Sequence, residues 1–310
     1  PRDAALLSDG RAPVLLDADA PVTDGSDDVF LLTSGSVVAH VLTAFGPHPI
    51  GTPGAPSLLS LHGALAGAYD LCRYDPRGGA SMVVFPGEEA RGLLFAGTPA
   101  GAAFRRIALS SVTTALREAN ATLARFFDDI VPEPGWKPKP APVSAPLPAA
   151  APADPRRVRD LFDAAGLDPG TLPDLGLTQR RLPSGSRLLS AGEPGGEAYV
   201  VAEGRLRVSI RIPGVGEEAL AFLGPGEVVG EMALVDDAPR SADVVTQDGA
   251  VTVFALSREV FRRLLDEGTP GGAPLLGVNG AVVKAHGSSG AKAILNAVRS
   301  ADKDWRNGYG

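Results

Sequence analysis

One stretch of this chain gathers the residue types that anion chemistry needs. It reads Gly230-Glu231-Met232-Ala233-Leu234-Val235-Asp236-Asp237-Ala238-Pro239-Arg240-Ser241-Ala242. Arg240 offers a permanently charged, planar guanidinium that can donate two parallel hydrogen bonds to an oxyanion. Ser241 follows with a hydroxyl donor, and Gly230 permits a close backbone approach. The same residues admit a plainer outcome, in which Arg240 pairs with Glu231, Asp236 or Asp237 in a solvated cluster of charges. Other reactive side chains are scattered. His40, His48 and His62 lack the spacing of metal ligands and are expected in turns or at the surface. Cys72 is the single cysteine, which excludes an internal disulfide and a multi-thiolate zinc site, and it reads as a small buried hydrophobe. Near the C-terminus, Lys284, His286 and Ser288 stand beside glycines and could also meet an anion.

The elements that would position these residues are short and heavily punctuated. A chain of 310 residues suggests about two domains. Its 38 Gly and 28 Pro, with 44% hydrophobic residues, favour turn-rich β architecture over helical bundles. The net charge of −7 argues against broad nucleic-acid binding. No apolar run reaches the roughly 18 residues of a membrane span, and the first residues lack the layout of a secretory signal. A cytoplasmic protein is the expectation.

Nine of the 24 residues from Pro132 to Pro155 are proline, which marks an extended, semi-rigid tether. Beyond it, Asp154-Pro155 opens a short helix through RRVRDLFDAAGL. The run RLLSAGEPGGEAYVVAEGRLRVSIRI reads as strands separated by turns, one of them at Glu203-Gly204, and SADVVTQDGAVTVFALS as a strand, a turn and a strand. SREVFRRLLDE closes the unit as an amphipathic helix capped by Ser257. The first third repeats this plan. Laying VLLDADAPVTDGSDDVFLLTSGSVVAHV over RLLSAGEPGGEAYVVAEGRLRVSI, with a four-residue insertion, puts Phe30, Leu31, Leu32, Gly35 and Val37 on Tyr199, Val200, Val201, Gly204 and Leu206. A later match sets Ala108-Leu109-Ser110 against Ala255-Leu256-Ser257. The stretch HPIGTPGAPSLLSLHGALAG finds no counterpart, and no Gly-Glu…Pro-Arg run occurs in this third. Lysine is confined to the tether and the last 43 residues, so the tail differs in composition from the body.

The run from Gly230 to Ala242 resembles the phosphate-binding cassette of cyclic nucleotide-binding domains, the family of bacterial cAMP-responsive regulators and kinase regulatory subunits. The resemblance spans about Arg157 to Glu267. It implies a cyclic phosphate held by Arg240, Ser241 and the free backbone N–H groups of a short helix starting near Gly230, with Met232, Ala233 and Ala242 lining the cassette. It further implies Glu231 as acceptor for the ribose 2′-hydroxyl, and either cAMP or cGMP as ligand. The first third is loosely similar to degenerate N-terminal domains of bacterial peptide-exporting ABC transporters. The tail at residues 272–299 is similar to the C-terminal segment of phosphate acyltransferase, without the rest of that enzyme.

These readings combine into a mainly β protein with two double-stranded β-helix (jelly-roll) barrels and short flanking helices. Expected boundaries are 1–131 for a degenerate barrel, 132–156 for the linker, 157–267 for the cyclic nucleotide-binding domain and 268–310 for the tail. The expected role is a non-enzymatic sensor whose ligand state modulates a protein partner. A non-sensing structural module in a transport or compartment assembly is the alternative, and an acyltransferase fragment a remote one. No helix-turn-helix pattern follows the second barrel, which disfavours DNA recognition.

Overall fold

Two long antiparallel strands form the spine of each half of the molecule, as alternating apolar residues between glycine punctuation dictate. The computed structural model describes residues 2–16, 22–23, 26–44, 46–66, 72–125, 146–164, 177–212 and 216–267. Most of the proline-rich tether and the whole tail, with Lys284, His286 and Ser288, lie outside the described residues. Two compact units emerge, one built on the chain up to Ala119 and the other on Asn120–Leu264. Each is a jelly roll of antiparallel strands flanked by helices.

The first unit contains α1 (Arg2–Ser8), β1 (Val14–Leu16), β2 (Val22–Thr23), β3 (Val29–Thr43), β4 (Gly46–Gly51), β5 (Ser57–Leu59), α2 (Leu61–Ala66), β6 (Cys72–Phe85), α3 (Gly87–Phe95) and α4 (Pro99–Arg125). Its strand order is β1-β6-β3-β4, with β2 on β6 and β5 on β3. Phe30, Leu32, Val37, Leu59, Tyr74 and Met82 build its core, and Cys72 packs against them half-buried. His40 and His48 lie on strands β3 and β4 rather than in turns, and His62 lies in α2. Ala108, Leu109 and Ser110 fall inside helix α4, whereas Ala255, Leu256 and Ser257 end a strand. That proposed match is therefore an accident of composition. The buried side chain of Arg105 holds α4 to α3, its Nη1 donating to the carbonyls of Leu94 and Ala96 at 3.1 and 2.8 Å.

The second unit contains β7 (Ala151–Pro152), α5 (Pro155–Ala164), β8 (Thr178–Leu182), β9 (Arg187–Leu189), β10 (Glu197–Ile212), β11 (Gly216–Leu223), β12 (Val228–Val229), α6 (Met232–Val235), β13 (Asp243–Ser257) and α7 (Arg258–Glu267). Its order is β11-β10-β13-β8-β7, with β12 on β10 and β9 on β13. Leu182, Val201, Leu206, Val251 and Val253 are fully buried in its core. The turn expected at Glu203-Gly204 is instead a bulge within the continuous strand β10, where the pairing to β13 shifts on either side of Glu203. Gly204 adopts φ +83° there, and the ladder resumes because the bulge bends the strand without ending it. Strand β13 is likewise continuous past Asp248-Gly249. Ser257 caps α7 as expected, its hydroxyl accepting the Val260 N–H at 3.3 Å.

Candidate ligand-binding cassette

Short strand β12 hands the chain from the barrel wall to the cassette. Its pairing with Tyr199 and Val200 of β10 fixes where Gly230 emerges. Gly230 turns the chain with φ +84°, a conformation that side chains disfavour. Space forbids one too: a Cβ at this position would lie 2.7 Å from Arg240 Nη1. Glu231 follows, buried and in helical conformation, and its carbonyl accepts the N–H groups of Leu234 and Val235 to start α6. Asp236 ends that turn and accepts the Ala238 N–H at 3.0 Å.

Arg240 is the centre of the cassette. Only 8% of the residue is exposed. Its Nη1 donates to the Gly230 carbonyl at 2.6 Å and its Nη2 to the Glu197 carbonyl at 2.7 Å. The backbone is pinned as well, since the Arg240 N–H donates to Glu193 O and the Arg240 carbonyl accepts from Gly192 N–H. Burial lowers the guanidinium pKa, opposed by the nearby Tyr199, Glu231 and Glu197. The solvated cluster of charges weighed from sequence therefore does not describe Arg240, which is buried with its terminal nitrogens on backbone carbonyls. Asp237 turns to Arg258 instead.

The remaining cassette residues fall into two groups. Ser241 Oγ lies 3.5 Å from Met232 Sδ, which ties the loop to the helix. Ala233 and Ala242 are buried, the latter among the core side chains. Tyr199 stands beside the site with its hydroxyl donating to Glu197 at 2.8 Å. Burial, reinforced by that carboxylate, pushes the phenol up to about 12. Among the described residues, no three His, Cys, Asp or Glu side chains gather as a metal site would require.

Sequence reasoning missed two residues here. Gly195 lies against the cassette so closely that a Cβ would come within 2.5 Å of Ala233 Cβ and 2.8 Å of Arg240 Cζ. The Gly195-Gly196 pair looked like one more turn signal. Arg258, the first residue of α7, donates to the carbonyls of Gly195, Ala233 and Leu234 at 2.9, 3.3 and 3.2 Å and pairs with Asp237. It reads in sequence as one of several arginines on an amphipathic helix, and nothing in that pattern distinguishes it.

The family model for the cyclic nucleotide-binding domain matches residues 179–267. The chain is 41% identical over 95 residues to a cyclic AMP receptor protein of Thermus thermophilus, an alignment covering 30% of this chain and 44% of that protein. It is 36% identical over 90 residues to a cAMP-dependent protein kinase regulatory subunit of Blumeria graminis, covering 27% of this chain and 23% of the other. The chain thus spans less than half the length of either relative. A solved cyclic nucleotide-binding domain from Methylobacillus flagellatus aligns with a TM-score of 0.39 and 22% identity, over 45% of this chain and 85% of that one. The matched stretch opens in β8 and closes with α7, so that cassette, barrel and closing helix fall inside it together: residues 179–267 of this chain belong to the cyclic nucleotide-binding domain family.

Proposed function

We propose that the second unit binds a cyclic nucleotide in the cassette formed by Gly230, Glu231, Met232, Ala233, Arg240, Ser241 and Ala242, and that a protein partner reads the ligand state. The observation that carries this reading is the guanidinium of Arg240. A buried cation is costly unless an anion neutralises it. Two backbone carbonyls orient this one, and arginine has five N–H donors, so donors remain for a phosphate. Glu231 is the acceptor for a ribose hydroxyl, and cAMP is the first ligand to try because the matched relatives are named for it.

Arg258 supplies the route from ligand to partner. It joins α7 to the end of α6 and to Gly195, so a cassette that closes on an anion shifts the contacts of α7 and repopulates its positions. No residue of the cassette is given a catalytic role. The regulatory domain, expected from 157 to 267, begins earlier, with β7 at Ala151 and α5 at Pro155. A degenerate barrel at 1–131 precedes the tether, whose expected span of 132–156 shortens to match, and the protein acts in the cytoplasm. No helix among the described residues is long and apolar enough to cross a membrane.

Isothermal calorimetry with cAMP and with cGMP tests the reading. Saturable binding of one nucleotide, weakened by at least about 100-fold in Arg240→Ala as expected for a lost charged bidentate contact, supports it. Absence of heat with both nucleotides at high micromolar concentration refutes it.

A further inference from the structure

The two units share more than a topology. On β3 and β6, Leu32 faces Met82, Ser34 faces Ser81 and Ser36 faces Arg77, with a register shift at each step. On β10 and β13, Val201 faces Val253, Glu203 faces Thr252 and Arg205 faces Gln247, with shifts at the same two places, the second one residue longer on β13 than on β6. Glycine occupies the bulge in both, at φ +78° for Gly35 and +83° for Gly204. A third irregularity also coincides: pairing to β4 breaks between Ala39 and His40, and pairing to β11 between Val208 and Ser209. Register is not free to drift, because a one-residue slip turns every core side chain outward. Three matching bulges therefore point to one ancestral unit copied.

Extending that register locates the first unit's counterpart of the cassette. Leu59 faces Phe30 as Val229 faces Tyr199. Tyr74 faces Ala39 as Val244 faces Val208. Between these anchors both units have the same number of residues, so SLHGALA, without a counterpart in the sequence reading, stands where the cassette stands. The same register moves β1 onto β8, since Leu15 faces Ser81 as Arg181 faces Thr252; the four-residue insertion assumed from sequence was misplaced. Ser60 takes the place of Gly230 and keeps its backbone, with φ +60°. Even the residues after the closing helix repeat, Gly97-Thr98-Pro99 in one copy and Gly268-Thr269-Pro270 in the other.

The chemistry of the cassette is missing from the first copy. Leu61, buried, stands at the position of Glu231, and the run from Ser60 to Cys72 contains no arginine or lysine. A run without arginine or lysine offers no cation to neutralise a phosphate. Helix α4 also fastens the strand edge beside this position: Ser111 Oγ accepts the Leu58 N–H at 2.8 Å and Glu118 Oε2 the Thr52 N–H at 3.1 Å. We infer that the first unit is a second copy of the domain that has lost its anion site, so that the protein takes one cyclic nucleotide per chain, at Arg240. The stoichiometry rests on the function proposed above; the copying does not.

A transplant tests both parts. Residues 60–72 are replaced, without change of length, by the sequence of residues 230–242 in a full chain that also carries Arg240→Ala. The expected product melts cooperatively and binds one equivalent of cAMP or cGMP by calorimetry, where the wild type binds one and Arg240→Ala alone binds at least about 100-fold more weakly. Two equivalents on the wild type, or one equivalent bound by Arg240→Ala with wild-type affinity, overturns the loss of the site. A transplant that unfolds the first unit overturns the shared register, as does one that folds but binds nothing while the wild type binds. Should the wild type bind no nucleotide, the proposed function fails, and the melting of the transplant still decides the copying.

Discussion

Replacing Arg258 by alanine isolates the link between α7 and the cassette. The wild-type side chain donates to Gly195 O at 2.9 Å and, at longer range, to the carbonyls of Ala233 and Leu234. The first of these is a hydrogen bond from a charged donor, contributing about 1.5 kcal/mol, and the two longer ones together add about 1 kcal/mol. Its partner Asp237 has 69% of its side chain exposed, so that ion pair adds about 0.5 kcal/mol at most. The sum is a loss of about 2–3 kcal/mol. At roughly 4 °C per kcal/mol for a domain of this size, Tm of the second unit falls by about 10 °C. Differential scanning calorimetry of Arg258→Ala, with Asp237→Ala alongside, measures it. If Arg258→Ala melts within about 2 °C of wild type, or Asp237→Ala costs as much, the carbonyl contacts do not carry the link.

Three further outcomes follow from the geometry. Gly195→Ala forces a methyl group against Ala233 and Arg240, so it costs about 1–3 kcal/mol of stability and weakens nucleotide affinity more than tenfold by calorimetry; unchanged affinity would show that the cassette tolerates displacement. Because the folded state raises the Tyr199 pKa to about 12 from 10.0, its contribution is complete below pH 10 and lost as pH rises from 10 to 12. Tyr199→Phe should abolish that part of the alkaline decline, about 2–3 kcal/mol in denaturant melts; an identical decline in both proteins rejects the assignment. Ser60→Gly relieves a left-handed non-glycine residue whose hydroxyl is buried without a hydrogen bond, and is expected to leave the first unit as stable or stabilise it by up to about 1 kcal/mol, whereas a loss greater than that shows an unseen role for the hydroxyl.

Legibility in the sequence followed the physical range of each signal. Alternating apolar residues and glycines at bulges act locally, so the barrel strands and the Ser257 cap could be read directly. The run from Gly230 to Ala242 is contiguous, and its arginine advertised anion chemistry. What stayed hidden was made by chain folding: the carbonyls of Gly230 and Glu197 that orient Arg240 carry no side-chain signature, and Gly195 meets the cassette only in three dimensions. The counterpart of the cassette in the first unit escaped for another reason. Its position is kept in pairing register, while Ser60 and Leu61 share no chemistry with the residues they replace. Bulges were mistaken for turns because glycine with positive φ serves both.

The tether ends as part of the barrel. Ala151 and Pro152 pair with Gln179 and Thr178, and Arg180 donates to the Pro148 carbonyl at 2.7 Å, so β7 forms the outermost strand of its sheet. Proline has no amide hydrogen to offer a further strand, and an uncovered edge invites neighbouring molecules to add on. The last prolines of the tether thus act as a selvedge that stops the fabric from growing. A chain trimmed to begin after Pro152 would keep the cassette but present β8 as a bare template, and self-association at high concentration is the cost to expect from it.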